Sequence, residues 1–153
     1  MSNQLTHLDE YGKASMVNIS SKTPMLRTAL AEGLFCAKAE TIDAILRSDL
    51  PKGEALAVAR VSGIQAAKQC GNLIPLCHPL PIEYVDVQFK KISDCTIRIR
   101  STVVVTGRTG IEMEALTAVS VSALTLWDMT KAIDDSLVIK EITLVEKTKE
   151  LVD

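Results

Sequence analysis

Hydrophobic positions along this chain switch between a spacing of two and a spacing of three to four, and the switches outline its secondary structure. In EYVDVQFK, residues 83–90, Val85, Val87 and Phe89 alternate with Asp86, Gln88 and Lys90. In TIRIRSTVVVTG, residues 96–107, Ile97, Ile99, Ser101 and Val103 alternate with Arg98, Arg100 and Thr102. Such alternation marks half-buried strands, and Ser93-Asp94 supplies a turn, so a hairpin is predicted. Before it, KGEALAVARVSGIQAAKQCGN (52–72) predicts a helix with Gly71 as its C-terminal cap. Ala55, Ala59 and Gly63 recur there every four positions, a smooth face that lets another backbone approach closely. After the hairpin a long helix is predicted over 112–134, opened by Thr109-Gly110 and also carrying small residues (Ala115, Ala118, Ser122, Ala123). The smooth faces of both helices are expected to meet other subunits. ETIDAILRSD (40–49) has Ile42, Ile45 and Leu46 at helical spacing and ends before Pro51. LVIKEITLVEK (137–147) reads as a closing strand.

One segment stays undecided. RTALAEGLFCAK (27–38) has helical propensity, yet Gly33 in its middle and the cluster Leu34-Phe35-Cys36 suit a buried strand equally well. Residues 1–23 are polar, with Gly12, Ser15, Ser20 and Ser21 ahead of Thr23-Pro24, and read as a flexible N-terminal arm. Residues 24–153 then form a single α+β sandwich of the βαββαβ kind.

Composition narrows the function classes. With 153 residues the chain is long enough to bury one core. No run approaches the roughly 18 apolar residues of a bilayer span, and the N-terminus lacks the apolar stretch of a signal peptide, so a cytoplasmic protein is expected. A net charge of −2 and an aromatic share of 3% supply neither the basic footprint nor the stacking residues of a polynucleotide binder. The predicted hairpin offers only Tyr84 and Phe89 as platforms for RNA. Cys36, Cys70, Cys77 and Cys95 form no CxxC pair, and with two histidines in the chain no metal site is expected. Free thiols in a reducing compartment follow.

Three stretches could carry chemistry. LIPLCHPLP (73–81) surrounds Cys77 and His78 with three prolines, which stiffen the loop and hold His78 in one place. A rigid connection bearing a surface histidine fits the same residues. Cys77 with His78 as its base is the weaker idea, because adjacent side chains rarely face each other. TGRTGIEMEALTA (106–118) runs two Thr-Gly turns into a helix start bearing Glu112 and Glu114, where the dipole favours carboxylates with or without a catalytic role. In LWDMTKAIDD (126–135), Asp128 and Lys131 share a helical face. They form either a surface ion pair or, with Trp127 and its apolar neighbours covering them, a proton-exchanging pair. Glu114 and Asp128 lie on one face to within about 40° but about 21 Å apart along the axis. One chain cannot bring both to a small substrate, so a site using both takes one from each of two subunits.

At these stretches the sequence resembles the cyclic pyranopterin monophosphate synthase family, also called molybdenum cofactor biosynthesis protein C. The likeness runs from LTH (5–7) through KGEALAVARVSGIQAAK, LIPLCHPL and TGRTGIEMEALTAVSVSALTLWDMTKA to the final strand. It implies a ferredoxin-like subunit, an antiparallel sheet with helices on one face and 27–38 as the first strand, assembled as a hexamer of three dimers with sites shared between subunits. The implied reaction is lyase chemistry on a small-molecule triphosphate: 3′,8-cyclo-7,8-dihydro-GTP becomes cyclic pyranopterin monophosphate with loss of pyrophosphate. No metal or organic cofactor is implied, although magnesium can assist with the triphosphate. The resemblance puts the catalytic aspartate on Asp128, with Lys131 beside it and Lys52 at the start of the KG helix. It puts substrate contacts on Leu76, Cys77, His78, Met113 and Glu114, and arm cations that reach a neighbouring subunit's site on Lys22 and Arg27. The family commonly reads MVDVS where this chain reads MVNIS, so Asn18 stands in place of an acidic residue. Without a catalytic centre, a small domain of this kind would be a ligand-sensing module instead.

Overall fold

The alternation at 96–107 is kept residue for residue: in strand β3 (Thr96–Gly107), Ile97, Ile99, Ser101, Val103 and Val105 are buried while the residues between them are not. The computed structural model describes residues 8–152, so the LTH stretch at 5–7 lies outside the described residues. Besides β3 its elements are β1 (Met25–Cys36), α1 (Ala39–Leu46), α2 (Ala55–Lys68), α3 (Cys70–Leu73), β2 (Tyr84–Ser93), α4 (Glu112–Thr130) and β4 (Val138–Glu150). The strands form one sheet in the order β2-β3-β1-β4, antiparallel throughout, with the long helices against one face. That is the βαββαβ α+β sandwich the pattern predicts and the ferredoxin-like arrangement the resemblance implies. No helix among the described residues is long and apolar enough to cross a membrane.

The undecided segment is β1, and packing decides it. At Gly33 a Cβ would come within 2.7 Å of Val119 Cγ1 on α4 and 3.1 Å of Ile142 Cγ1 on β4. The glycine is therefore a point of close sheet–helix approach within a strand, the use that offsets its poor strand propensity. Phe35, Ile42, Ile45, Ile97, Ile99, Ile111 and Leu126 fill the core between the layers. Tyr84 and Phe89, five positions apart on β2, fall on opposite faces of the strand and cannot make a single stacking platform. Phe89 is half-buried, with the Arg60 guanidinium 5.7 Å from its ring centre.

Several boundaries differ from expectation. The Ala55-Ala59-Gly63 face packs on α4 of the same chain. A Cβ on Gly63 would overlap Ser122 Oγ and lie 3.0 Å from the Ala118 carbonyl, and Ser122 Oγ donates to Ala59 O at 3.0 Å. The small residues serve this internal contact, which removes them as an argument for subunit contacts. α2 begins at Ala55 because Gly53, at φ +90°, closes a turn by donating to Leu50 O at 2.9 Å. Gly71 is no left-handed cap. It sits inside α3, where a Cβ would meet Pro79 Cα at 3.0 Å, so it admits the proline loop instead. α1 stops at Leu46, ahead of Ser48 in the left-handed region. α4 stops at Thr130, short of the expected 134. Buried Asp134 is turned away to accept from Lys38 N and Thr41 Oγ1, each at 2.8 Å, at the start of α1. It also accepts from Ser136 N at 2.8 Å.

Candidate active site

A cavity of about 330 Å³ opens where the 17–22 stretch, the proline loop and the first turn of α4 meet. Lys22, Leu76, Cys77, His78, Met113 and Glu114 all line it, so six side chains singled out in the sequence converge on one space. Val17, Ile19, Leu80, Thr109, Gly110 and Glu112 complete the wall. Of these, Val17 and Ile19 carried no signal, being apolar residues in a polar arm.

The proline loop is held by short local bonds, such as Cys77 N to Ile74 O at 3.1 Å. His78 is half-buried, and its Nε2 lies 2.8 Å from the Val17 carbonyl. A carbonyl only accepts, so this nitrogen carries the proton and the ring is turned toward the arm rather than toward Cys77. Asn18 Oδ1 accepts from Ser20 N at 2.9 Å and Ser20 Oγ at 2.7 Å, a local turn. An aspartate carboxylate would supply the same acceptor, so replacing the family's acidic residue by Asn18 keeps this turn.

Charge around the cavity is graded by burial. Glu114 is 3% exposed. Burial pushes its carboxyl above the ordinary value, backbone N–H bonding offsets part of this, and the charge of Glu112 adds to the rise. Burial opposes ionisation of Glu112 as well, but Lys147 at 2.7 Å, backbone hydrogen bonding and Arg27 outweigh it and leave that carboxyl below its ordinary value. Burial raises the Cys77 thiol, with Glu114 adding to the effect, and pushes Cys70 up to about 11. Cys77 therefore stays protonated near neutrality, a poor nucleophile. All four cysteines are free, and among the described residues no three His, Cys, Asp or Glu groups gather as metal ligands.

Arg27 stands apart from the six residues of the first cavity. It lies in β1, beyond the arm, with Nε donating to Gly107 O at 3.0 Å. It lines a second cavity of about 250 Å³ on the far side of Gly110 and Glu112, together with Lys147 and Lys149 of β4. Gly110 lies between the two spaces, and the Glu112 carboxylate folds over the position a Cβ would take. Lys147 and Lys149 were missed in the sequence, although their spacing of two on a strand was a readable sign that they share a side.

At the other end of α4, Asp128 is held by two lysines. Lys131 Nζ lies 2.7 Å from Oδ1, and Lys52 Nζ lies 2.9 Å from Oδ2 and 2.8 Å from the Asp128 carbonyl. The Gly53 turn aims Lys52 at this point. Hydrogen bonds from Lys131 first, and then from Lys52, bring the carboxyl down to about 2. The expected cover is absent within one chain. Asp128 and Lys131 are 57% and 58% exposed, and Lys52 is 42% exposed. The trio stands fourteen residues along α4 from Glu114, about 21 Å away.

A sequence profile of the MoaC family matches residues 16–150. The chain is similar to the cyclic pyranopterin monophosphate synthase of Desulfitobacterium hafniense, 52% identical over 145 residues, covering 95% of this chain and 89% of that protein. It is similar to the protein of the same name from Novosphingobium aromaticivorans, 50% identical over 145 residues with 95% and 92% covered. Against the Brevibacillus brevis protein of that name it is 47% identical over 148 residues, with 97% and 92% covered.

Proposed function

The chain belongs to the MoaC family, and from that membership we propose that it is a cyclic pyranopterin monophosphate synthase in molybdenum cofactor biosynthesis, acting on 3′,8-cyclo-7,8-dihydro-GTP. One observation carries the reading at the level of the site: Lys22, Leu76, Cys77, His78, Met113 and Glu114 line a single cavity of about 330 Å³. A space of that size suits the cyclised base, and the cations Arg27, Lys147 and Lys149 at the adjoining cavity suit a triphosphate tail.

The reaction asks for proton transfers as the third ring forms. It also asks for attack of an internal oxygen on the α-phosphorus, with the bond to the bridging oxygen breaking and pyrophosphate leaving. Glu114, raised by burial, can hold a proton beside the base. Lys52 and Lys131 present two ammonium groups across the ionised Asp128, able to give protons and to neutralise departing charge. With its carboxyl near 2, Asp128 is a weak base while open to water, and its work is to fix the two lysines. Any magnesium would travel with the triphosphate.

The two groups of residues meet only between chains. The outward stripe of α4 from Thr117 to Trp127 carries no charged residue, and Leu124 and Trp127 are exposed on it. On a surface helix this is the composition of a buried interface. Two copies crossed antiparallel beside Val121, midway between Glu114 and Asp128, would bring each trio to the other's cavity and cover it. We extend this to a homohexamer built of three such dimers, as the sequence resemblance implies. Four unpaired thiols suit the cytoplasm.

Incubating the protein with the cyclised dihydro-GTP tests the function. Release of pyrophosphate together with cyclic pyranopterin monophosphate supports it. Saturable binding without release would make the chain a ligand sensor instead.

A further inference from the structure

Residues 15–24 form no helix or strand, yet Val17, Ile19 and Lys22 make one wall of the cavity. Among the described residues, two hydrogen bonds join this stretch to the rest of the fold: His78 Nε2 to Val17 O at 2.8 Å, and Arg108 Nε to Lys22 O at 2.9 Å. Inside the stretch, Lys22 N donates to Ile19 O at 3.0 Å, and Asn18 caps its own turn. The wall is thus a small folded unit pinned at both ends by side chains from two different motifs, the proline loop and the Thr-Gly turns.

We propose that Arg108 is a positioning residue, which with His78 clamps residues 17–22 as the fixed wall of the substrate cavity and sets Lys22 at its mouth. The bond to Lys22 O comes from Nε, leaving the rest of the guanidinium exposed. Arg108 acts through a neutral carbonyl, so the charge of the guanidinium is incidental to the clamp. An unpinned stretch of this kind pays ordering entropy each time substrate binds, and prior clamping removes that cost. The deficit on losing the clamp should therefore fall on KM, with kcat kept.

The inference rests on reading this cavity as the substrate site, and its test has one arm that does not. Glutamine carries its amide nitrogen as many bonds from the backbone as arginine carries Nε, so Arg108→Gln keeps a donor at the same reach and removes the charge. In substrate-free protein, hydrogen exchange across 17–22, including the Lys22 amide, should speed up in Arg108→Ala and stay near the parent rate in Arg108→Gln, with β2 and β3 unaltered in both. With the cyclised dihydro-GTP, Arg108→Ala should raise KM by up to about tenfold, the scale of one hydrogen bond, at nearly unchanged kcat. Arg108→Gln should recover most of that rise. Unchanged exchange in Arg108→Ala overturns the clamp, as does faster exchange with no change in KM. A glutamine variant as impaired in KM as the alanine variant means that Arg108 touches substrate by its charge, and also overturns it. Absence of any turnover by the parent chain sinks the functional reading, while the exchange arm still decides the clamp.

Discussion

Glu114 and Asp128 stand fourteen residues apart on one helix, the first buried against a cavity and the second open to water between two lysines. Burial raises the first carboxyl, and ion pairing lowers the second to about 2. Two acids on one helix are thus held on opposite sides of their ordinary values by environment alone.

Asp128→Asn should cut kcat by about a thousandfold, the size of a lost acid–base arrangement, while lowering the thermal midpoint only slightly, as for a solvent-screened ion pair, and leaving the oligomeric state unchanged. The swap keeps shape and removes the charge that holds Lys52 and Lys131 together. Activity within a few-fold of the parent would reduce the trio to a surface ion pair.

The same carboxyl predicts a pH signature. Its folded-state pKa is depressed, so its contribution to stability is present above the unfolded value of about 4 and is lost as pH falls toward about 2. Carboxyl resonances followed by NMR should show Asp128 ionised down to that range. Lys131→Met should move the midpoint back up, since Lys131 is the larger cause. An ordinary titration in the parent protein would contradict the geometry.

Gly63→Ala should destabilise the fold by about 2 kcal/mol, the cost of overpacking a filled contact. The added methyl runs into Ser122 Oγ and the Ala118 carbonyl, and a helix backbone cannot yield as a side-chain tip can. A lower urea midpoint at unchanged slope is the expected reading.

Asp134→Ala should cost about 3 kcal/mol, because Lys38 N, Thr41 Oγ1 and Ser136 lose their shared acceptor. Its carboxyl is held well below the ordinary range: burial opposes ionisation, but bonds from Ser136, Lys38 and Thr41 outweigh it. This stability is therefore present at neutral pH and fades as pH falls below about 4. Unfolding curves of the two proteins should converge in acid.

Sequence patterns reached far where one period dominates. The alternation of Ile97, Ile99, Ser101 and Val103 needed no tertiary information, and β3 follows it over its whole length. Patterns failed where a distant contact decides. The segment around Gly33 stays open between helix and strand until Val119 is seen above it, Gly71 reads as a cap until Pro79 is seen beside it, and α4 ends early because Asp134 is drawn to α1. At the site, the motif residues from 76–78 and 113–114 do meet, since each motif is short and rigid. The arm's Val17 and Ile19 join them through bonds to a carbonyl, which no side-chain pattern records. Arg27 sits on β1 and lines the second cavity, a placement set by strand pairing that the motif around it does not record.

The shared site is tested most directly by mixing two defective chains. Leu76→Trp fills the cavity, and Asp128→Asn disables the trio at the far end of α4; each alone should be inactive. If every site takes its cavity from one chain and its trio from another, a 1:1 mixture allowed to exchange subunits holds both intact parts in about one quarter of its sites, half the cavities times half the trios in symmetric pairs. The account predicts recovery to about one quarter of parental pyrophosphate release. No recovery above the separate variants, with mixed oligomers demonstrated by mass, would contradict it.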